Sequence, residues 1–307
     1  MRKVEIELMT VTPLFLGGSD PRSQPPELRP PSFRGAMRYW YRAALGGVVG
    51  DTDLDAVRNL ETAVFGSTDQ GSPISLRLRG QLRYSQYAIL PHKNAGRRNA
   101  FDPDQKFILT MTAGPACSEI VWTNACMALN LALTLGGVGL RSRRGMGSLQ
   151  VVASSQPELV PAFPQQVDSV SQFIRIITRS AIRQVQSLAG GLNVSVRGLP
   201  QSPTQFPCAA LGAEFRLVRQ IAARQPVEAV AELMKRFPKA IWLGGISPRQ
   251  SSPVWARVLK TQEGYHLLFT VLPSKLAQST HNYSELGKWL NNKVVGDLIE
   301  VKGWTKT

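Results

Sequence analysis

Residues 136–148 read GGVGLRSRRGMGS and combine five glycines (Gly136, Gly137, Gly139, Gly145, Gly147) with three arginines (Arg141, Arg143, Arg144) and no acidic residue. Glycine admits positive φ and close backbone approach to a ligand. Backbone N–H groups in such loops form anion-binding concavities, and planar guanidinium forks match phosphate oxygens. The chemistry this composition suits is holding the backbone of a polyanion. A nucleotide-binding P-loop is excluded, because Gly-Lys-Ser/Thr is absent and the order is helix, loop, strand. The plainer alternative is a tight turn with solvated arginines.

Arginine also recurs in stripes. Arg34, Arg38 and Arg42 repeat at i, i+4 and i+8 beside the apolar set Phe33, Met37 and Tyr41. Arg175, Arg179 and Arg183 repeat the spacing further on, opposite Ile174, Ile177, Ala181, Val185 and Leu188. Arg77 and Arg79 alternate along a strand. A stripe of this kind is often a solvated face, but neither helical triplet has the usual i,i+4 glutamate. Cations of one sign left unpaired repel one another without an anionic ligand, which favours contact with a nucleic-acid backbone. Tyr39, Trp40 and Tyr41 lie among the first triplet; such aromatics either stack on unpaired bases or fill the core.

Catalytic candidates are fewer. His92, next to Lys93 and near Arg97 and Arg98, could serve metal-free RNA cleavage as a general base. His266 falls in a strand and His281 near a helix start, neither with an obvious partner. Asp20 is the carboxylate best placed for metal-assisted phosphodiester chemistry, whereas Asp102 and Asp104 flank Pro103 and read as turn residues. The three cysteines, Cys117, Cys126 and Cys208, have no CxxC spacing. No metal and no cofactor are expected, and binding is better supported than turnover.

Composition agrees. The 307 residues carry a formal net charge of +15, with 25 Arg and 11 Lys against 21 acidic side chains. An arginine-weighted excess points to nucleic acid before a membrane surface. A hydrophobic share of 43% is that of a folded chain, which sets disorder aside as the source of the charge. With no signal-like N-terminus and no run of 18 apolar residues, a cytoplasmic location is the expectation.

The elements that must position these residues follow from periodicity. Residues 2–12 alternate as a strand, residues 33–46 form a helix with Ser32 as N-cap, and a short helix covers 53–64. Strands are predicted at 73–83, 106–112 and 148–153, an exposed basic loop at 91–106, and a helix at 118–135. This β-α-β-β-α-β order is the ferredoxin-like pattern. Residues 154–166, rich in Pro, Gln and Ser, read as a linker between 1–153 and 167–307. The second part begins with a helix at 167–189 and contains a helix at 226–237, a hairpin at 254–272 and a helix at 282–291.

The strand leading into TPLFLGGSDP, the segment ELRPPSFRGAMRYWYRA, the VFGS segment and the glycine loop together resemble the RAMP superfamily of CRISPR proteins. Within it they are similar to the first-numbered subunits of Cmr (type III-B) effector complexes. The resemblance covers residues 8–48 and 134–150 most strongly, with SPRQSSPVWARV similar to the second domain of that family. It implies an α+β chain of two tandem ferredoxin-like domains with inserted loops and helices. It further implies a non-catalytic subunit of a ribonucleoprotein, bound to CRISPR RNA, target RNA and other Cmr subunits near the 3′ region of the guide. The motifs carry that role onto Arg34, Arg38, Arg42, Arg141, Arg143 and Arg144. Relatives that process CRISPR RNA without metal are the alternative, and His92 would have to act there.

Overall fold

The computed structural model describes residues 2–18, 25–246, 249–275 and 283–305. Strand β1 (Lys3–Thr10) buries Val4, Ile6 and Leu8 on one face, the period of a half-buried strand. Helix α1 (Pro30–Val49) starts three residues before the expected Phe33, with Arg29 and not Ser32 at the N-cap position. Pro30 and Pro31 fit there because the first helical N–H groups have no intrahelical acceptor to lose. Helix α2 (Leu54–Phe65) is capped by Asp53, whose carboxylate accepts from the Ala56 N–H at 3.1 Å.

Strand β2 (Ile74–Arg79) leads to β3 (Tyr84–Leu90) and β4 (Ala95–Phe101), a two-stranded ribbon turning at Pro91–Lys93. The exposed loop expected at 91–106 is therefore largely strand. No residue of β3 is buried and only Ala100 and Phe101 of β4 are, so no strong apolar alternation marks the ribbon. Strand β5 (Lys106–Ala113), helix α3 (Glu119–Leu135) and β6 (Leu149–Ser154) complete the first half. The sheet runs β2-β5-β1-β6, antiparallel throughout.

Helix α3 is apolar nearly all round, with Trp122 and the whole of Asn124–Leu135 buried. A helix of that kind needs cover on every side. Helix α4 (Val167–Gly191) supplies it, packing on both α3 and α1. The inward set predicted for α4, Ile174, Ile177, Ala181, Val185 and Leu188, is buried throughout.

The second half contains β7 (Glu214–Val218), α5 (Pro226–Lys235), the short pair β8 (Gly245–Ile246) and β9 (Arg249–Gln250), β10 (Val254–Thr261), β11 (Gly264–Val271), α6 (Tyr283–Lys293) and β12 (Asp297–Leu298). Its four-stranded sheet runs β10-β11-β7-β12, which repeats the strand order of the first half. The chain is thus α+β with two antiparallel sheets. Edge strand β6 of the first sheet faces edge strand β10 of the second. Gln150 spans them with both ends of its amide, donating to the Lys260 carbonyl at 2.8 Å and accepting from the Lys260 N–H at 2.9 Å. Among the described residues, no helix is long and apolar enough to cross a membrane.

Candidate nucleic-acid interface

The glycine loop folds back over residues 13–16 of its own chain. Leu140 donates to the Phe15 carbonyl, Gly147 to that of Pro13 and Val138 to that of Gly147, each at 3.0 Å. At Gly147 (φ +61°) a Cβ would fall on the Val138 carbonyl, and at Gly139 (φ +87°) on that of Phe15. Gly136, Gly137, Gly145 and Gly147 are buried, while Gly139 is exposed. The close approach that these glycines permit is to the protein itself, which corrects the expectation that they line a ligand.

The three loop arginines part company. Arg141, at φ +61°, is exposed and has no side-chain partner among the described residues. Arg143 donates to the Ser252 carbonyl, and its guanidinium lies 4.9 and 4.8 Å from the ring centres of Tyr39 and Trp255. Arg144 donates to the carbonyls of Val254 (3.2 Å) and Leu243 (3.1 Å) and lies 3.8 Å over the Phe237 ring. Burial, followed by the charges of Arg143 and Arg141, lowers the pKa of Arg144 to about 9. Arg143 and Arg144 therefore join the two halves, and the expected row of three free phosphate ligands reduces to Arg141.

Arg257 reciprocates from β10. It is 1% exposed and donates to the carbonyls of Leu133 and Leu149, with burial lowering its pKa to about 9. Leu133 lies in the last turn of α3, where the helix dipole favours a cation. Neither Arg144 nor Arg257 has a carboxylate partner among the described residues; carbonyl oxygens take that place. The aromatic trio serves the same junction. Trp40 and Tyr41 are fully buried, and Tyr39 and Trp40 pack on Trp255 at ring separations of 5.0 and 5.3 Å. None of the three forms an open base-stacking platform.

The stripes have different surroundings. On α1, Arg38 Nε lies 2.6 Å and Arg42 Nη1 3.0 Å from one carboxylate oxygen of Glu61, and Arg34 donates to the Ile74 carbonyl at 3.0 Å. The reading of that triplet as unpaired is corrected: its counter-charge arrives from α2, across 19 to 23 residues. Arg77 and Arg79 are exposed on β2, and Arg79 pairs with Glu5 at 3.1 Å. With Lys3–Glu5 and Lys106–Glu7 beside it, the outer sheet face is a ladder of opposite charges. On α4, Arg175 donates to the Glu300 carbonyl at 3.3 Å, whereas Arg179 and Arg183 are exposed with no partner among the described residues.

Unopposed cations converge at the ribbon tip. The turn at Pro91–Lys93 packs against α5, and the charges of Lys93, Arg141 and Lys235 all act on His92. Burial, followed by those three charges, holds the His92 pKa below its ordinary value, and its Nδ1 is buried without a partner among the described residues. The sequence holds a signal for this cluster: residues 70–101 and 120–157 contain no Asp or Glu. Lys235 was beyond sequence reasoning, because only folding carries α5 to the ribbon.

The other catalytic candidates have structural surroundings. The His266 ring bonds the Arg219 carbonyl through Nδ1 and Thr261 Oγ1 (2.7 Å) through Nε2. Asp102 accepts from the Tyr87 hydroxyl at 3.0 Å, and Asp104 pairs with Lys260 at 2.6 Å. Asp20 and His281 lie outside the described residues. Among the described residues, no three His, Cys, Asp or Glu side chains group to hold a metal ion.

Comparison with known proteins gives these surroundings a context. The sequence profile of the RAMP superfamily matches residues 7–150. CRISPR system Cmr subunit Cmr1-1 of Pyrococcus furiosus is 35% identical over 150 residues, which cover 44% of this chain and 43% of that protein. Subunit Cmr1-2 of the same organism is 28% identical over 185 residues, covering 49% of this chain and 96% of that protein. The match thus spans less than half the length of the first of these relatives. The crystal structure of apo Cmr1 from P. furiosus has the same fold, with a TM-score of 0.68 at 21% identity over 99% of this chain and 100% of that one. A chain of the type III-B Cmr-β complex bound to cognate target RNA gives a TM-score of 0.61 at 12% identity, over 88% and 94%.

Proposed function

We propose that the chain, whose residues 7–150 match the RAMP superfamily, is a non-catalytic, RNA-binding subunit of a type III-B CRISPR effector ribonucleoprotein. Its partners are CRISPR RNA, target RNA and the other Cmr subunits, and its contact is with the 3′ region of the guide–target duplex. The likeness to a chain in a complex carrying target RNA supports this reading. We read the repeated strand order as two ferredoxin-like domains in tandem, 1–153 and 167–307, with 154–166 as linker.

The observation that carries the proposal is the meeting of Lys93, Arg141 and Lys235 at the ribbon tip, with no carboxylate paired to any of them among the described residues. Arg77 and the α4 pair Arg179 and Arg183 extend the contact surface. Phosphate contacts supply the affinity, and base pairing by the guide supplies the sequence preference.

The test is retention of single-stranded RNA on a filter across a salt series. Lys93→Ala with Arg141→Ala lowers affinity about tenfold for every RNA sequence and flattens the salt slope by roughly 0.7 per lost cation. Unchanged affinity, or loss confined to one sequence, overturns the proposal. Cleavage of a repeat-containing RNA in EDTA by the wild-type chain, abolished in His92→Ala, would establish the endoribonuclease instead.

A further inference from the structure

We infer that the cleft between the C-terminal ends of α5 and α6 is a second backbone-binding site, which takes the single-stranded continuation of RNA held at the ribbon tip. The inference rests on the RNA-binding reading above and carries it into a part of the second half that no arginine stripe marks. The cleft has a volume of about 440 Å³ and is lined by Lys235, Arg236, Asn292 and Lys293, with Trp289 as its apolar wall. Lys235 connects the two places. It ends α5, the helix on which the ribbon tip packs, so one ammonium group borders both the tip and the cleft.

Two features that would repel an anion here are already neutralised. Helix C-termini present unpaired carbonyls and a negative dipole end. Here the Arg236 carbonyl accepts from Trp289 Nε1 (2.6 Å), the Lys293 carbonyl from Arg236 Nη1 (3.0 Å) and the Met234 carbonyl from the Phe237 N–H (3.2 Å). Among the described residues, Glu232 is the one acidic residue lining the cleft, and its carboxylate is held 2.8 Å from Arg236 Nη2. Lys235, Lys293 and Asn292 remain exposed, with no side-chain partner among the described residues.

The chemistry of this set selects a class of ligand. Two mobile ammonium groups act as point charges and do not impose the bidentate geometry of a guanidinium fork. Beside them, the Asn292 amide offers a donor and an acceptor suited to a ribose hydroxyl or a base edge. Such a site follows a flexible phosphodiester strand with little regard to sequence.

The experiment measures binding of oligouridines of increasing length to the full chain, as wild type, Lys293→Glu and Arg141→Glu. Wild-type affinity rises with length until the strand spans both sites. Lys293→Glu binds the shortest oligonucleotides like wild type and loses roughly fivefold on the longest, whereas Arg141→Glu weakens every length. Lys293→Glu that binds all lengths like wild type, or weakens all of them equally, overturns the cleft and leaves the parent reading standing. No retention of any RNA by the wild-type chain overturns both. Matching melting temperatures of the variants certify that they are folded.

Discussion

Arg34, Arg38 and Arg42 on α1 and Arg175, Arg179 and Arg183 on α4 occupy the same i, i+4, i+8 spacing, but their charges meet different surroundings. Helix α2 lies against α1 and offers Glu61, 7% exposed, as a shared counter-ion for two of the first three. Among the described residues, no carboxylate pairs with Arg179 or Arg183, which stay open to solvent. The first stripe braces α1 against α2, and the second is a surface free to meet an anion. Periodicity assigns residues to a face; the element packed on that face decides what the charge does.

The largest effect that sharpens this contrast is Glu61→Gln. It strands two guanidiniums beside a buried amide. Breaking a buried ion pair costs about 3–5 kcal/mol, and with the two arginine side chains 38% and 42% exposed solvent offsets part of it. A loss of about 2 kcal/mol in urea unfolding is expected, and a loss below about 0.5 kcal/mol would show that α1 does not depend on the pairing. The double variant Arg179→Ala, Arg183→Ala comes next. It leaves stability within about 0.5 kcal/mol of wild type and lowers RNA affinity roughly three- to tenfold. Arg38→Ala with Arg42→Ala does the reverse, and equal RNA losses from both pairs would erase the distinction between the stripes.

The smallest effect is on pH. Burial lowers the pKa of His92, with Lys93, Arg141 and Lys235 adding to it, and burial also lowers that of His266. Just below the ordinary histidine value, the unfolded chain therefore binds protons that the folded chain does not. Stability is greatest above that window and falls as pH drops through it. A bound phosphate strand opposes the cations around His92 and raises its pKa, so RNA affinity increases on acidification. Melting curves and RNA affinities at about pH 7.5 and 5.5 check both signs. His92→Gln removes the pH dependence of binding and leaves the share of the stability loss that belongs to His266.

Much of the scaffold was legible because burial writes a period into the chain. The alternation of Val4, Ile6 and Leu8, the helices expected at 53–64 and 118–135, and the hairpin expected at 254–272 each correspond to an element of the structure, whereas the cap expected at Ser32 does not. The ribbon at 84–101 was not legible, since strands with so few buried positions carry little apolar alternation. The candidate site was legible in part. The acid-free glycine–arginine loop marks where the two halves meet, but its outward cation set includes Lys235, 94 positions beyond Arg141.

By itself, the amino-acid sequence determined an arginine-rich, acid-poor chain, the inward faces of its helices, and a glycine loop able to bend sharply. Only the tertiary structure decided that Arg141 turns to solvent while Arg143 and Arg144, two and three residues on, cross into the other half. The reason is desolvation. A guanidinium can be buried only where oxygen acceptors meet it, and the carbonyls that accept from Arg143 and Arg144 belong to residues about a hundred positions away. Those acceptors exist at the loop only once β6 and β10 lie edge to edge.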